Sequence, residues 1–188
     1  MKKKEIRQLY LEKRKTLSEK EVTLWSQNIT AKVLQNLTVE QHYIHLFASL
    51  KKQVEVDTYP LVEALWKRDK KPVVPKIIST HQLVHYQWNP QTKMTVNAWG
   101  IPEPEAGEKI LPEQLDVVLV PLLAIDQQGQ RVGYGKGFYD RFLAACNSNV
   151  LKIGLGFFPP IKKIVDVAAT DIGLDVYLTQ DGQWKFNS

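Results

Sequence analysis

The sequence predicts an α/β fold, a mainly parallel sheet flanked by helices. Three observations carry this. The stretch "LDVVLVPLLAID" (115–126) is a continuous apolar run, the pattern of a strand buried on both faces. Strand-like segments alternate with helical ones along the chain. No repeat or low-complexity linker divides the 188 residues, so 1–188 reads as one domain with a sizeable core.

Each element has a local reason. Residues 2–36 read as helical, with Ser18 and Glu21 forming a capping box that starts a second helix. "HYIHLFASL" (42–50) is a short apolar run and a strand. "DTYPLVEALWKRDK" (57–70) is a helix, with Asp57 or Thr58 as cap and Pro60 in the first turn. "KPVVPKII" (71–78) and "QLVHYQW" (82–88) are strands. The proline- and glycine-rich "WGIPEPEAGEKILPEQ" (99–114) is an ordered loop. After the apolar run come a helix, "FYDRFLAAC" (138–146), a strand, "VLKIGLGF" (150–157), and a short last segment around "LDVYLT" (174–179).

Composition narrows the function. Hydrophobic content of 44% and charged content of 24% suit a soluble globular chain. No apolar run is long enough to span a bilayer, and "MKKKEIRQLY" lacks a signal peptide's apolar core. The lone Cys146 cannot form an internal disulfide and reads as a structural thiol. A reducing, cytoplasmic location is expected, without membrane contact. The net charge of +5 favours anionic partners. The basic residues are spread out, and no zinc-finger, RRM or KH pattern appears, so nucleic acid is not singled out. A small phosphate or carboxylate ligand accounts for the charge equally well.

The chemistry concentrates in "RVGYGKGFYDRFL" (131–143). Gly133, Gly135 and Gly137 alternate with Tyr134 and Lys136 directly before a helix. Such glycines let several backbone N–H groups turn toward one anion, and the helix N-terminus adds its dipole. Arg131 and Lys136 supply mobile positive charge. This reads as a phosphate cradle, although glycine-rich turns also occur as plain surface loops. It is neither a Walker A loop nor a GxGxxG fingerprint. Asp140, in the first helical turn, either complements the dipole or holds Mg2+ against phosphate oxygens. At the N-terminus, Lys3, Arg7 and Arg14 share one helix face, beside an apolar line of Ile6, Tyr10 and Leu17. That basic face is either solvated or lent to phosphates.

The ordered set "KKEIR", "EVDT" (55–58), "WGIPEP" (99–104), "LDVVLVP", the glycine loop and "DIGLD" (171–175) resembles the 5-formyltetrahydrofolate cyclo-ligase family, from Lys3 to about Thr179. The resemblance implies a fold like that of sugar-phosphate isomerases and CoA transferases. It implies an enzyme that closes 5-formyltetrahydrofolate, free or polyglutamylated, to 5,10-methenyltetrahydrofolate with ATP and Mg2+. A monomer is expected. By this resemblance Lys3, Lys4 and Arg7 contact ATP phosphates, and Arg131, Val132, Gly133, Tyr134, Gly135, Lys136, Gly137, Phe138 and Tyr139 form the ATP loop. Lys136 and Arg131 act on the transferring phosphoryl. Asp140 and Asp175 hold Mg2+, with Asp171 a further acidic candidate. Glu55 binds the pterin, Trp99 packs on a substrate ring or anchors its loop, and residues 134–138 also touch the folate. Three positions depart from the family pattern: Tyr134 where many members carry arginine, Pro160 in place of a glutamine, and Asp166 in place of a proline. Two extra residues precede Glu55.

Two other readings stand beside this. The same fold serves isomerase and CoA-transferase chemistry, but no glutamate nucleophile follows the glycine loop. A basic RNA-binding module would bind with steep salt dependence, yet no recognisable strand carries paired exposed aromatics.

Overall fold

In the computed structural model of the chain, residues 1–80 and 82–186 are described; His81 and the last two residues of the predicted domain lie outside them. Two helices come first, α1 (Lys3–Lys15) and α2 (Glu19–Asn36). The predicted box is formed at the start of α2, where the Glu21 amide donates to Ser18 Oγ and the Ser18 amide donates back to Glu21 Oε2. At α1 the Lys2 amide donates to Glu5 Oε2 and the Lys3 amide donates to Asp166 Oδ1 at 2.7 Å. Asp166, one of the three departures from the family pattern, thus caps α1 from 163 residues away.

Next come β1 (Tyr43–His45), α3 (Tyr59–Trp66), β2 (Lys71–Ile77), β3 (Leu83–Gln87), β4 (Met94–Val96), β5 (Pro102–Pro104) and β6 (Lys109–Ile110). The second half supplies β7 (Val117–Pro121), β8 (Ala124–Ile125), β9 (Arg131–Val132), α4 (Phe138–Ala145), β10 (Leu151–Leu155), β11 (Val176–Leu178) and β12 (Gln183–Lys185). The main sheet has the order β12-β11-β10-β7-β1-β2-β3-β6. Its central strands β11, β10, β7, β1 and β2 are parallel, and the edges are closed by antiparallel β12 on one side and β3 and β6 on the other.

The apolar run in β7 behaves as a doubly buried strand should. Val117 and Leu119 face one core with Ile29, Val33, Leu61 and Leu65 of α2 and α3, while Val118 and Val120 face the other with Phe142 and Leu143 of α4. Each fully buried Val or Leu contributes about 1.5–3 kcal/mol. A third cluster docks α1: Ile6 and Tyr10 pack on Leu123, Ala124 and Val132 of the β8–β9 hairpin.

Several predicted elements are corrected. The run 115–126 is two strands, because Pro121 ends β7 and the chain turns back to pair Ala124 and Ile125 with β9. The stretch 99–114 is not a plain loop: β5 pairs with β4, and β6 pairs with β3. Only Tyr43–His45 of 42–50 is strand, since beyond it the chain leaves the sheet to line a cavity. The third helix stops at Trp66 and gets no side-chain hydrogen bond from Thr58, whose hydroxyl donates to Phe47 O instead. Cys146 donates to Phe142 O, and burial pushes its thiol up to about 12, as fits an inert structural role.

Candidate active site

The chain winds from β1 through α3 to β2 on one side, and from β7 through α4 to β10 on the other. β1 and β7 are neighbours, so a crevice opens between their carboxyl ends, where open α/β sheets bind ligands. A cavity of about 530 Å³ lies there, bounded by Phe47 and Ala48 after β1, Pro75 and Ile77 of β2, and Pro121 at the end of β7.

One wall is the glycine loop. Gly135 has φ 90 and Gly137 has φ 67, so both need the left-handed region that glycine enters without strain. Gly137 is also the residue before α4, so the helix N-terminus opens into the cavity. A Cβ at Gly133 would meet nothing within 4 Å. Gly133, Tyr134, Gly135, Lys136, Gly137, Phe138 and Tyr139 all line the cavity. Val132 does not. It is fully buried beneath α1, which leaves only its backbone for a ligand.

Helix α1 closes the same end. The docking of Ile6 and Tyr10 turns its basic face toward the cavity and away from open solvent. Lys3 and Arg7 line the cavity, and Arg7 Nε donates to Gly133 O at 2.9 Å. Lys4 is exposed and does not line the cavity, because it sits one step round the helix. Arg131 reaches the cavity but is not mobile. Its fork is held by Asp140 Oδ1 at 2.7 Å and by Ile172 O. Lys136 is exposed at the cavity and, among the described residues, forms no ion pair.

The acidic residues divide differently from the expectation. Asp140 and Asp171 line the cavity. Asp171 pairs with Lys3; burial alone would raise its carboxyl, but Lys3 and the Ala168 amide hold it below the usual carboxylate range. Asp175 does not line the cavity. It precedes β11 at the amino end of the parallel strands, and its carboxylate takes the amide and ammonium of Lys152 at 2.8 and 2.9 Å. Among the described residues no three His, Cys, Asp or Glu side chains converge to hold a metal. Asp140 and Asp171 are carboxylates at the cavity that could hold a metal carried in on phosphate oxygens, each here paired with a cation, Arg131 and Lys3.

Glu55, only 7% exposed, lines the cavity against the glycine loop. It follows a 3-10 turn, Lys51–Gln53, and Val54 takes φ 48. A β-branched residue there is strained, a conformation that clusters where chains place functional groups. Glu55 Oε1 accepts from Tyr134 Oη at 2.6 Å, and Oε2 accepts from the Leu50 amide at 2.8 Å. Arg14 Nη1 donates to the same Tyr134 oxygen at 3.0 Å. Burial pushes Glu55 upward, partly offset by Tyr134, the Leu50 amide and Arg14. Trp99 lines the rim with its ring 65% exposed, free of the anchoring role that a core aromatic would have. Tyr139 lines the cavity too, and among the described residues its buried hydroxyl has no partner.

Sequence reasoning placed Arg14 on the basic face but gave it no role, although its spacing of seven from Arg7 was the signal. It missed Glu103, which is buried against the cavity and accepts from the Ile77 amide at 2.8 Å. Its place in the "WGIPEP" stretch was the signal; the Ile77 amide of β2 fixes the carboxylate there.

A crevice at a strand switch point, with a glycine loop before a helix and cations from a second helix over it, is the place where open α/β proteins bind ligands, and its donors suit an anion. Residues 1–178 match the model of the 5-formyltetrahydrofolate cyclo-ligase family, and the chain belongs to that family. A 5-formyltetrahydrofolate cyclo-ligase of Escherichia coli K12 is 32% identical over 153 residues, covering 79% of this chain and 83% of that one. One from Mus musculus is 27% identical over 180 residues, covering 89% and 88%. The solved structure of Aquifex aeolicus 5,10-methenyltetrahydrofolate synthetase superposes with a TM-score of 0.86 at 32% identity, covering 100% of this chain and 94% of that chain.

Proposed function

We propose that the chain catalyses the ATP-dependent cyclisation of 5-formyltetrahydrofolate to 5,10-methenyltetrahydrofolate, releasing ADP and phosphate. The observation that carries this is the lining of one cavity. Lys3, Arg7, Lys136 and the glycine loop line it, and so do the buried Glu55 carboxylate and the exposed Trp99.

Chemistry explains why a nucleotide is needed. A formamide oxygen is a poor leaving group. Its attack on the γ-phosphorus, with ADP leaving, makes an imidate-type phosphate. N10 then adds to the activated carbon, loses its proton, and phosphate departs as the ring closes. The first step is mainly positioning and charge neutralisation. Lys136 supplies mobile positive charge to the transferring phosphoryl. The Gly133–Gly137 amides and Arg7 orient the phosphates, while Arg131 acts indirectly by fixing Asp140 and the 171–172 segment. Mg2+ carried on the nucleotide and held by Asp140, with Asp171 beside it, would neutralise phosphate charge. Glu55 offers its carboxylate to the N–H edge of the pterin, and Trp99 offers a ring face. No observation favours the isomerase, CoA-transferase or RNA-binding readings over this one.

The test is direct. Purified protein mixed with 5-formyltetrahydrofolate and MgATP should develop methenyl absorbance with ADP in equal amount. Turnover without nucleotide, or no turnover with it, rules the reading out.

A further inference from the structure

We propose that Arg14 and Tyr134 are positioning residues that keep Glu55 ionised and aim its two free lone pairs at a ligand with two parallel N–H donors. The inference rests on the assignment of Glu55 to the pterin edge.

The geometry is a three-residue chain from the core to the cavity. Arg14 is 3% exposed, and its guanidinium donates to Leu122 O, Gln53 O and Tyr134 Oη. Among the described residues no carboxylate pairs with it directly. A buried cation without a counter-charge is costly. The nearest compensation is Glu55, reached through the phenol: Tyr134 Oη accepts from Arg14 and donates to Glu55 Oε1. Burial raises the Tyr134 hydroxyl well above the usual phenol range, so it stays protonated and can serve as that donor.

Counting acceptor sites gives the specificity. A carboxylate has four lone-pair sites, two on each oxygen. Tyr134 uses one on Oε1 and the Leu50 amide uses one on Oε2. One remains on each oxygen of a group that lines the cavity. That is the complement of a cyclic amidine or guanidine edge, and a lone hydroxyl cannot satisfy it. Tyr134 stands where the sequence pattern of the family often has arginine. Here α1 supplies the guanidinium from Arg14 and the loop supplies the connecting hydroxyl.

The groups facing Glu55 are Arg14 from α1, Tyr134 from the glycine loop, Tyr139 from α4 and the Leu50 amide. Only burial raises its carboxyl; Tyr134, the Leu50 amide and Arg14 lower it. Removing the Tyr134 hydroxyl must therefore move the titration to higher pH.

Tyr134→Phe keeps the ring and deletes only that hydroxyl. Two measurements decide. Carboxyl-carbon NMR of protein labelled with [13C]glutamate, with the Glu55 signal assigned by its loss in Glu55→Gln, reads the titration without any ligand. The midpoint should move upward in Tyr134→Phe. Binding of 5-formyltetrahydrofolate at neutral pH should weaken about tenfold, and more than ATP binding does. The acid limb of folate binding should shift upward with the midpoint. If Glu55→Gln weakens folate but Tyr134→Phe moves neither the midpoint nor the affinity, the positioning role is overturned and the pterin assignment survives. If Glu55→Gln leaves folate binding intact, the assignment itself fails and takes the proposal with it.

Discussion

Gly135→Ala separates two effects that a glycine loop usually confounds. Gly135 has φ 90, where an alanine costs about 1–2 kcal/mol. A Cβ there would lie 3.1 Å from Cζ and Nη2 of Arg7, closer than a relaxed contact, so the guanidinium must shift. Arg7 holds Gly133 O at 2.9 Å, and hydrogen bonds from charged donors are worth about 1.5–3 kcal/mol. The backbone strain is present with and without nucleotide, so it registers as lost stability. The melting temperature should fall by roughly 2–8 °C. Alanine's usual gain from reduced unfolded-state entropy does not apply, because φ does not permit it. The displaced Arg7 registers separately, as ATP affinity lowered about tenfold to a hundredfold. Folate binding without nucleotide should change less, since the pterin edge is assigned to Glu55, whose hydrogen bonds go to Tyr134 and Leu50 and not to Arg7. Calorimetric titration of each ligand, with a thermal melt of the variant, measures all three. A folded variant with the parent's ATP affinity would reduce the glycines to an ordinary turn. Equal loss of both ligands would mean that the loop only supports the fold.

Lys136→Ala should lower kcat by about 10²-fold or more with little change in melting temperature, and an unchanged kcat would demote Lys136 to a surface residue. Asp140→Asn and Asp171→Asn should raise the Mg2+ requirement, measured as activity against free Mg2+. Asp175→Asn should leave that requirement alone and lower the melting temperature through loss of the Lys152 pair; the reverse pattern would restore Asp175 to the metal. Acid should destabilise the chain through His45 and His85, whose rings meet edge-to-face at 5.0 Å between centroids and both pack on Phe142. Burial holds both imidazoles below the ordinary 6.5, His85 at about 4, with His85 also acting on His45. Folded pKa values are thus below unfolded ones, so their contribution is complete above about pH 6.5. It is lost as pH falls toward 4, on the order of 3 kcal/mol for His85. Denaturation curves between pH 7.5 and 4.5 should show this fall, and His85→Phe should flatten it; an unaltered slope would contradict the burial argument.

The sequence by itself determined the elements that rest on local physics. The box at Ser18, the doubly buried run of β7 and the glycines before α4 all encode their structure within a few residues. The basic face of α1 was also legible, because a helix repeats every 3.6 residues whatever it packs against. Tertiary structure decided everything that depends on a partner distant in the chain. β4, β5, β6, β9 and β12 are two or three residues each and exist only because another strand pairs with them. Asp140 and Asp175 look alike in sequence, yet parallel pairing of β10 with β11 puts Asp175 on Lys152 and leaves Asp171 to face Lys3. Tyr134 looked like a lost charge in the loop; folding brings Arg14 and Glu55 to its hydroxyl from 120 and 79 residues away. Periodicity fixes which way a side chain points along its own element, but only the closed sheet fixes what it meets.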